Sequence, residues 1–233
     1  MDQMHRFALY YAPPPGPLAD FAADWLGWDA TAGREMPHPI VPGLPGPVEE
    51  LTRAPRKYGL HGTLKPPFRL AQGATPEALH AATADLAARL APVSLPGLVL
   101  AQLGGFLALV PEGDASELGA LAAEVVTALD GFRAAPDAAE IARRRPERLS
   151  AAQRALLARW GYPYVLGEFR FHLTLTGDLP EEQAAATKAA LAPVLAPLLP
   201  RPCEIVDICL FGEAADGRFH LLRRYPLSGE RVQ

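Results

Sequence analysis

The sequence has little cysteine, no long apolar run and no excess of positive charge. Among 233 residues there are two cysteines, Cys203 and Cys209, and both fall in one predicted strand. Two thiols at this spacing favour neither a disulfide framework nor a zinc site, so we expect packed free thiols in a reduced, cytoplasmic protein. Charged residues, proline or glycine interrupt every apolar stretch, which argues against a transmembrane helix. Residues 1–6 also lack the apolar core of a signal peptide.

The charge balance argues against nonspecific electrostatic binding to nucleic acid. The formal net charge is −4 at pH 7, whereas domains that bind extended nucleic acid are usually basic. Apolar residues make up 49% of the chain and charged residues 21%, as in ordinary soluble globular proteins. We therefore expect neither a membrane nor extended nucleic acid as the partner. The oligomeric state is left open.

The most informative feature of the sequence is a duplicated motif. His-x-Thr-Leu occurs at residues 61–64 and again at residues 172–175. The surrounding segments, 58–64 and 169–176, are typical of β-strands, and the prolines at 66 and 67 are expected to end the first. Two copies in matching strand context are a far more specific signal than one.

Alternation along a strand sorts the side chains around each motif by face. Alternate residues of a strand point to the same side of the sheet. The residues between the polar ones in the second motif are uniformly apolar, so the polar residues face away from the core. The residues expected on this polar face are His61, Thr63, Lys65, Arg170, His172 and Thr174.

This set of side chains suits a phosphate ester. The threonine hydroxyls and the cationic groups of Lys65 and Arg170 can donate hydrogen bonds to anionic oxygens. Histidine titrates near neutrality, so one copy can take a proton from water while the other delivers a proton to the leaving oxygen. We therefore expect a small phosphorylated substrate as the partner. We predict His61 and His172 as the catalytic pair, and the other four residues as phosphate-binding. The scheme needs neither a metal nor another cofactor, and it does not decide which histidine is the base.

The first predicted strand, residues 6–11, carries two further candidates. Arg6 and Tyr10 share one face of this strand and could reach the same cleft. A role as ordinary sheet residues is the simpler interpretation of both.

The order of the predicted elements repeats together with the motif. A motif strand, a helix and two further strands occur from residue 61 to 110 and again from 172 to 225. We therefore predict an α+β fold with two lobes, in which antiparallel sheets line a central cleft and helices lie outside. The expected parts of this single domain, residues 1–233, are a first-motif lobe at about 5–133, linker helices at about 134–165 and a second-motif lobe at about 166–228.

The paired motifs resemble the signature of the 2H phosphoesterases, which carry one His-x-[Ser/Thr]-x motif in each lobe of a pseudo-symmetric bilobal fold. Two segments resemble a narrower subgroup found in bacterial phosphonate-utilisation gene clusters. They are residues 57–68, KYGLHGTLKPPF, and residues 6–13, RFALYYAP. The resemblance implies hydrolysis of a cyclic phosphodiester, such as a ribose cyclic phosphate made during phosphonate breakdown.

Other functions compete with this one. RNA-end processing or ligation is an alternative because relatives of the 2H group act on RNA ends, although the acidic balance weighs against it. A module that binds a nucleotide or phosphosugar without turnover is a second alternative, but such a binder would need only the cations and hydroxyls. A metal-dependent hydrolase is a third, and neither histidine has a cluster of His, Asp or Glu at ligand spacing.

Overall fold

The structure is a computed structural model and describes residues 4–230. Residues 1–3, which contribute to the signal-peptide argument, lie outside the described residues. The strands are β1 (Arg6–Tyr11), β2 (Trp28–Asp29), β3 (Arg34–Glu35), β4 (Gly62–Phe68), β5 (Val93–Leu95), β6 (Leu98–Leu103), β7 (Phe106–Pro111), β8 (Leu173–Thr174), β9 (Cys203–Ile205), β10 (Asp207–Glu213) and β11 (Phe219–Pro226). The α-helices are α1 (Pro17–Leu26), α2 (Val48–Leu51), α3 (Pro76–Ala87), α4 (Ser116–Ala128), α5 (Ala138–Ala142), α6 (Ala151–Trp160) and α7 (Glu181–Leu195).

Local capping signals fix where the helices begin. The Thr75 hydroxyl accepts a hydrogen bond from the amide of Ala78, and Pro76 occupies the first helical position of α3, where its missing N–H costs nothing. Helix α6 begins with a capping box in which Ser150 and Gln153 each bond to the other's backbone N–H. None of the helices described within residues 4–230 is both long and apolar enough to cross a membrane.

Seven of the strands form one antiparallel sheet in the order β11-β10-β1-β4-β8-β7-β6. Two short antiparallel pairs, β2-β3 and β5-β9, lie outside it. The predicted α+β class with antiparallel sheets is confirmed. The strands that carry the two motifs, β4 and β8, are neighbours near the middle of the main sheet.

The two strands that follow each motif in the chain pair on the side of the sheet that holds the other motif. The pair β6-β7, which follows the first motif in the chain, joins the second motif's strand β8. The pair β10-β11, which follows the second motif, joins β1 and through it the first motif's strand β4. Each half of the sheet is therefore built from both motif segments, which ties the two together around β4 and β8.

Both motif strands differ in length from the prediction. β8 is confined to two residues, whereas β4 continues through Pro66 and Pro67 to Phe68. Proline lacks the N–H that a strand ladder needs and is tolerated at bulges and free edges. The pairing of β4 with β1 shifts register twice, and its recorded pairing with β8 is confined to Gly62. The prolines therefore fall where the ladder is already interrupted.

One of these register shifts changes which way a side chain points. Tyr10 is paired with Thr63, but Leu9 is paired with Lys65, so Leu64 is an extra residue between them. Such a β-bulge breaks the simple alternation of faces along the strand. Leu64 and Lys65 are both buried, and Lys65 lies on the same side of the sheet as Leu9.

Apolar side chains pack on both faces of the main sheet. The larger core includes Leu9, Leu64 and Leu173 together with the apolar face of α4. A smaller cluster lies on the opposite face, and its buried members are Ala8, Tyr10, Ala12, Cys209, Phe211 and Phe219. The first motif strand therefore lies beside a packed aromatic surface.

The two cysteines are buried free thiols, as predicted. The prediction that they share one strand is wrong, because β9 ends before Val206 and β10 begins after it. β9 pairs with β5, whereas β10 belongs to the main sheet.

Candidate active site

The two histidines make the same local hydrogen bond. Nδ1 of His61 lies 2.9 Å from the carbonyl oxygen of Gly59, and Nδ1 of His172 lies 2.8 Å from that of Arg170. A carbonyl oxygen only accepts, so Nδ1 carries the proton in both rings. In each neutral ring the lone pair is then on Nε2, which is the atom left to exchange protons with a ligand.

The register of β4 and β8 bears on how close the two motifs lie. Their middle residues, Gly62 and Leu173, are Cα partners in the antiparallel pair. Continued by one residue on each side, this register would set His61 opposite Thr174 and His172 opposite Thr63. Cross-strand partners share a face, with Cβ atoms about 4.5–5.5 Å apart. We therefore expect each histidine to neighbour the threonine of the other motif.

A cavity of about 290 Å³ opens beside this group. Its lining residues are Ala54, Pro55, Tyr58, His61, Phe106, Thr174, Thr176, Gly177 and Asp178. Phe106 also contacts the ring of His172, with 5.7 Å between ring centroids. His172 is outside the lining of this cavity and contacts one of the residues that line it.

Burial makes His61 a neutral group. Desolvation lowers its pKa to about 4, the hydrogen bond to the Gly59 carbonyl opposes this shift, and the nearby His172 adds to it. The influence of His172 on His61 agrees with the closeness that the strand register implies. At pH 7, His61 is therefore unprotonated on Nε2 and able to accept a proton.

Two tyrosines form the packed surroundings of His61. The ring of Tyr10 lies 4.0 Å from the His61 ring between centroids, and the ring of Tyr58 lies 5.3 Å away. Tyr10 is 1% exposed, and burial raises the pKa of its hydroxyl. The predicted candidate Tyr10 thus lies against the catalytic candidate His61 as a neutral packing partner.

The other candidate of the first strand lies elsewhere. Arg6 makes a two-point ion pair with Glu213 on β10, and its guanidinium lies over the ring of Phe219. Arg6 is outside the lining of the histidine cavity but lines a neighbouring pocket. Its predicted place in the cleft therefore gains no support from the structure.

The prediction that Lys65 shares the histidine face is wrong. Lys65 is 2% exposed, and its ammonium donates to the carbonyl of Val126 in α4 and lies 3.5 Å from Asp130. The bulge at Leu64 turns the side chain to the core side, where strict alternation would have turned it toward the phosphate. Lys65 is a buried structural cation.

Arg170 lies outside β8, two residues before His172. Its side chain is exposed, and one guanidinium N–H donates to the neighbouring carbonyl of Phe169. Its role in phosphate binding stays a prediction, as do those of Thr63 and Thr174.

Sequence reasoning did not single out Tyr58, Phe106 or Asp178 at the site. Phe106 reaches the cavity because β7 pairs with β8, and these strands are distant in the chain. Asp178 follows the second motif closely in sequence but carries no pattern that marks it. Tyr58 ends a 3₁₀ turn just before the first motif, and its closeness in sequence to His61 was the one available signal. Thr176 is buried, and its hydroxyl accepts from the amide of Leu107, which is a structural role.

Residues 4–230 show no group of three or more His, Cys, Asp or Glu side chains arranged for a metal ion, and the metal-free scheme stays a prediction.

Comparison with known proteins identifies the family. Residues 63–220 match a family described as "Protein of unknown function (DUF1045)". The chain belongs to the DUF1045 family. The matched segment of this DUF1045 chain contains the second motif complete, and His61 lies two residues before it begins.

One curated relative and two solved structures illustrate the similarities. "Ribose 1,5-bisphosphate phosphokinase PhnN" of Janthinobacterium sp. (strain Marseille) is 36% identical over 236 residues, which cover 98% of this chain and 52% of the relative. The DUF1045 chain thus spans about half the length of that protein. Among solved structures, E. coli LigT complexed with 3′-AMP is 18% identical, covers 96% and 98% of the two chains and has a TM-score of 0.43. TT0787 of Thermus thermophilus is 16% identical, with coverages of 97% and 100% and a TM-score of 0.44.

Proposed function

We propose that this DUF1045 protein is a phosphoesterase that hydrolyses a small cyclic phosphodiester without a metal ion. The observation that carries the proposal is the paired arrangement of the motifs. Two histidines with the same Nδ1 hydrogen bond each immediately precede one of two adjacent strands, and the pairing of Gly62 with Leu173 supports a place for each beside the other motif's threonine. Opening a cyclic phosphodiester needs a proton acceptor and a proton donor on opposite sides of one phosphorus, which this pair supplies.

The environment of His61 favours it as the base. His61 is unprotonated at pH 7 because burial lowers its pKa, so its Nε2 takes a proton from the attacking water. The water oxygen bonds to phosphorus as the bond to the leaving ring oxygen breaks, and His172, the other member of the pair, delivers a proton to that oxygen. The product is a phosphate monoester with a free hydroxyl. The hydroxyls of Thr63 and Thr174 donate to the non-bridging oxygens, where negative charge is held in the transition state.

The size of the cavity favours a small substrate. A volume of about 290 Å³ lies at the lower end of the range for small-molecule sites. The name of the Janthinobacterium relative refers to a phosphorylated ribose, and the chain covers about half of that protein. A ribose or nucleoside cyclic phosphate is therefore the first class to test, with phosphonate metabolism as the proposed context.

A side-by-side assay of small cyclic phosphates tests this function. Wild-type protein would be incubated with ribose 1,2-cyclic phosphate and with nucleoside 2′,3′-cyclic phosphates, with and without EDTA. We expect turnover of at least one of them and no loss of rate with the chelator. A rate that EDTA abolishes and a divalent ion restores would assign the protein to the metal hydrolases. Tight binding with no turnover of any compound would instead support a binding module.

A further inference from the structure

A second pocket, rich in cations, adjoins the histidine cavity. Its volume is about 620 Å³, and Tyr58 lines both spaces. We call it the arginine pocket, after the positively charged residues of its lining: Arg6, Lys57, Arg69, Arg133, Arg143 and Arg144.

Half of these cations are neutralised by carboxylates. The ion pairs are Arg6 with Glu213, Arg69 with Glu140 and Arg133 with Asp130. Asp137 is a further carboxylate near Arg69. These ion pairs hold the side chains of the pocket wall in place, and the charges within each pair largely cancel.

The other three cations have no carboxylate at salt-bridge distance within residues 4–230. Two of them lie over aromatic rings, with Lys57 Nζ 4.9 Å from the ring centroid of Tyr58 and the Arg144 guanidinium 4.6 Å from that of Tyr162. Such contacts hold a cation in place without cancelling its charge. Together with Arg143 they give the pocket an excess of positive charge in a chain whose formal net charge is −4. Clustered like charges repel one another, and a bound anion relieves that repulsion.

The arginine pocket is separated from His61 by one layer of aromatic rings. The ring of Tyr58 lies 5.3 Å from that of His61 and 4.8 Å from that of Phe219. The guanidinium carbon of Arg6, in the pocket wall, lies 5.9 Å from the Phe219 ring. Because Tyr58 lines both spaces, a ligand that reached from one to the other would pass the edge of its ring.

We propose that the arginine pocket binds a second anionic group of the substrate, a phosphate monoester, while the cyclic diester lies between the histidines. The proposal deepens the proposed function and rests on it for the identity of the first group. Guanidinium groups suit phosphate because they donate paired hydrogen bonds to its oxygens. The preferred substrates are then cyclic phosphates that carry a further phosphate, and the bare cyclic phosphates are poorer ligands.

A binding experiment that requires no turnover tests the proposal. The probes are adenosine 2′,3′-cyclic phosphate and the same compound with a 5′-phosphate, titrated by calorimetry into H61N/H172N protein. We expect the 5′-phosphate to tighten Kd by about tenfold or more, as one or two charge-assisted hydrogen bonds provide. Adding R143Q/R144Q should remove this gain. The matched control R89Q/R223Q removes two exposed arginines outside the pocket and should keep it.

The outcomes separate the pocket from the catalytic proposal. Equal Kd values for the two probes, or a gain that survives R143Q/R144Q, would overturn the second site. Should R143Q/R144Q fail to fold, K57Q is the second variant and is expected to reduce the gain. If inorganic phosphate improved binding of the unphosphorylated probe, the pocket would hold a separate anion, which also contradicts the proposal. Wild-type protein that shows the tenfold gap but hydrolyses neither probe would contradict only the proposed hydrolysis.

Discussion

The two motifs carry the same reactive groups in unlike surroundings. Each histidine donates from Nδ1 to the carbonyl two residues earlier. His61, however, packs against Tyr10 and Tyr58, whereas His172 contacts Phe106. The same local hydrogen bond sets the tautomer of both rings, and burial lowers the pKa of His61 to about 4. In the proposed mechanism, this shift favours His61 as the base.

The middle residue of each motif shows a second difference. Gly62 and Leu173 are Cα partners, and Leu173 is fully buried in the core. A Cβ on Gly62 would lie 2.3 Å from the ring of Phe171, so that side chain would have to move. The ring takes the space that a side chain on the first motif would need, which explains glycine in one copy and leucine in the other.

Replacing either histidine is the most direct test of whether both motifs are needed for turnover. H61N and H172N should each lower kcat by roughly 10²–10⁴-fold, the usual contribution of a positioned acid or base. The double variant should lose less than the product of the two single losses, because the groups act in one step. The measurement is kcat on the best cyclic phosphate of the assay. A single variant with near wild-type turnover on every cyclic phosphate tested would rule out the two-histidine mechanism.

The threonines should behave alike, because each lies opposite a histidine. T63V and T174V should each lower kcat/KM by about ten- to a hundredfold through lost hydrogen bonds to the charged oxygens. The pH profile should keep its limbs, since neither change removes a titrating group. A loss confined to one threonine would show that the phosphate binds on one side of the pair.

The pH profile sharpens the contrast between the histidines. Y58A should let water reach His61 and raise its pKa from about 4 toward the ordinary value of about 6.5. Because His61 must be unprotonated to act as base, the acidic limb of kcat/KM should move to higher pH. The test compares this limb in wild type, Y58A and Y164A, on a substrate without a second phosphate. Tyr164 is an exposed tyrosine outside the lining of the histidine cavity, so Y164A should leave the limb in place. An unmoved limb in Y58A would contradict the account.

The smallest effect on activity is expected at Lys65. K65M should change kcat/KM by no more than about twofold, because the ammonium bonds to Val126 and Asp130 away from the histidines. Burial lowers the Lys65 pKa to about 8, with Asp130 opposing the shift. Between pH 8 and about 10.5 the unfolded chain holds a proton that the folded chain has released, so this group makes stability rise with pH there.

Chemical denaturation across that pH range measures the Lys65 contribution. Wild-type stability relative to K65M should increase from pH 8 to about 10.5. A large loss of kcat/KM in K65M with intact stability would indicate that Lys65 binds the phosphate. This result would contradict the effect assigned to the bulge.

The sequence predicted the parts of the site that local periodicity controls. His61 and Thr174 line one cavity, as alternation predicted, and the shared face of Thr63 and His172 stays a prediction. Lys65 was misplaced because alternation fails at a bulge, and a bulge depends on the pairing with β1. No signal in residues 61–68 reports that pairing.

The surroundings of the histidines could not be predicted for a similar reason. Tyr10 and Phe106 reach the motifs through strand pairs that are distant in the chain. The predicted repeat of strand, helix and two strands was informative about class, but it gave no indication that the outer strands exchange partners. Sheet order depends on which faces fit together, and this information is spread over the whole chain.

Nitrogen-detected NMR of the histidines in the presence of phosphate tests the central claim most directly. Long-range ¹H–¹⁵N spectra of wild-type protein at pH 7 should show His61 in the Nδ1–H tautomer. Titration with inorganic phosphate, a mimic of the bound phosphoryl group, should shift the Nε2 resonances of His61 and His172 with the same Kd. Protonation on Nε2 rather than Nδ1 in neutral His61, or a phosphate response at one histidine alone, would contradict the claim that the pair faces a single phosphate.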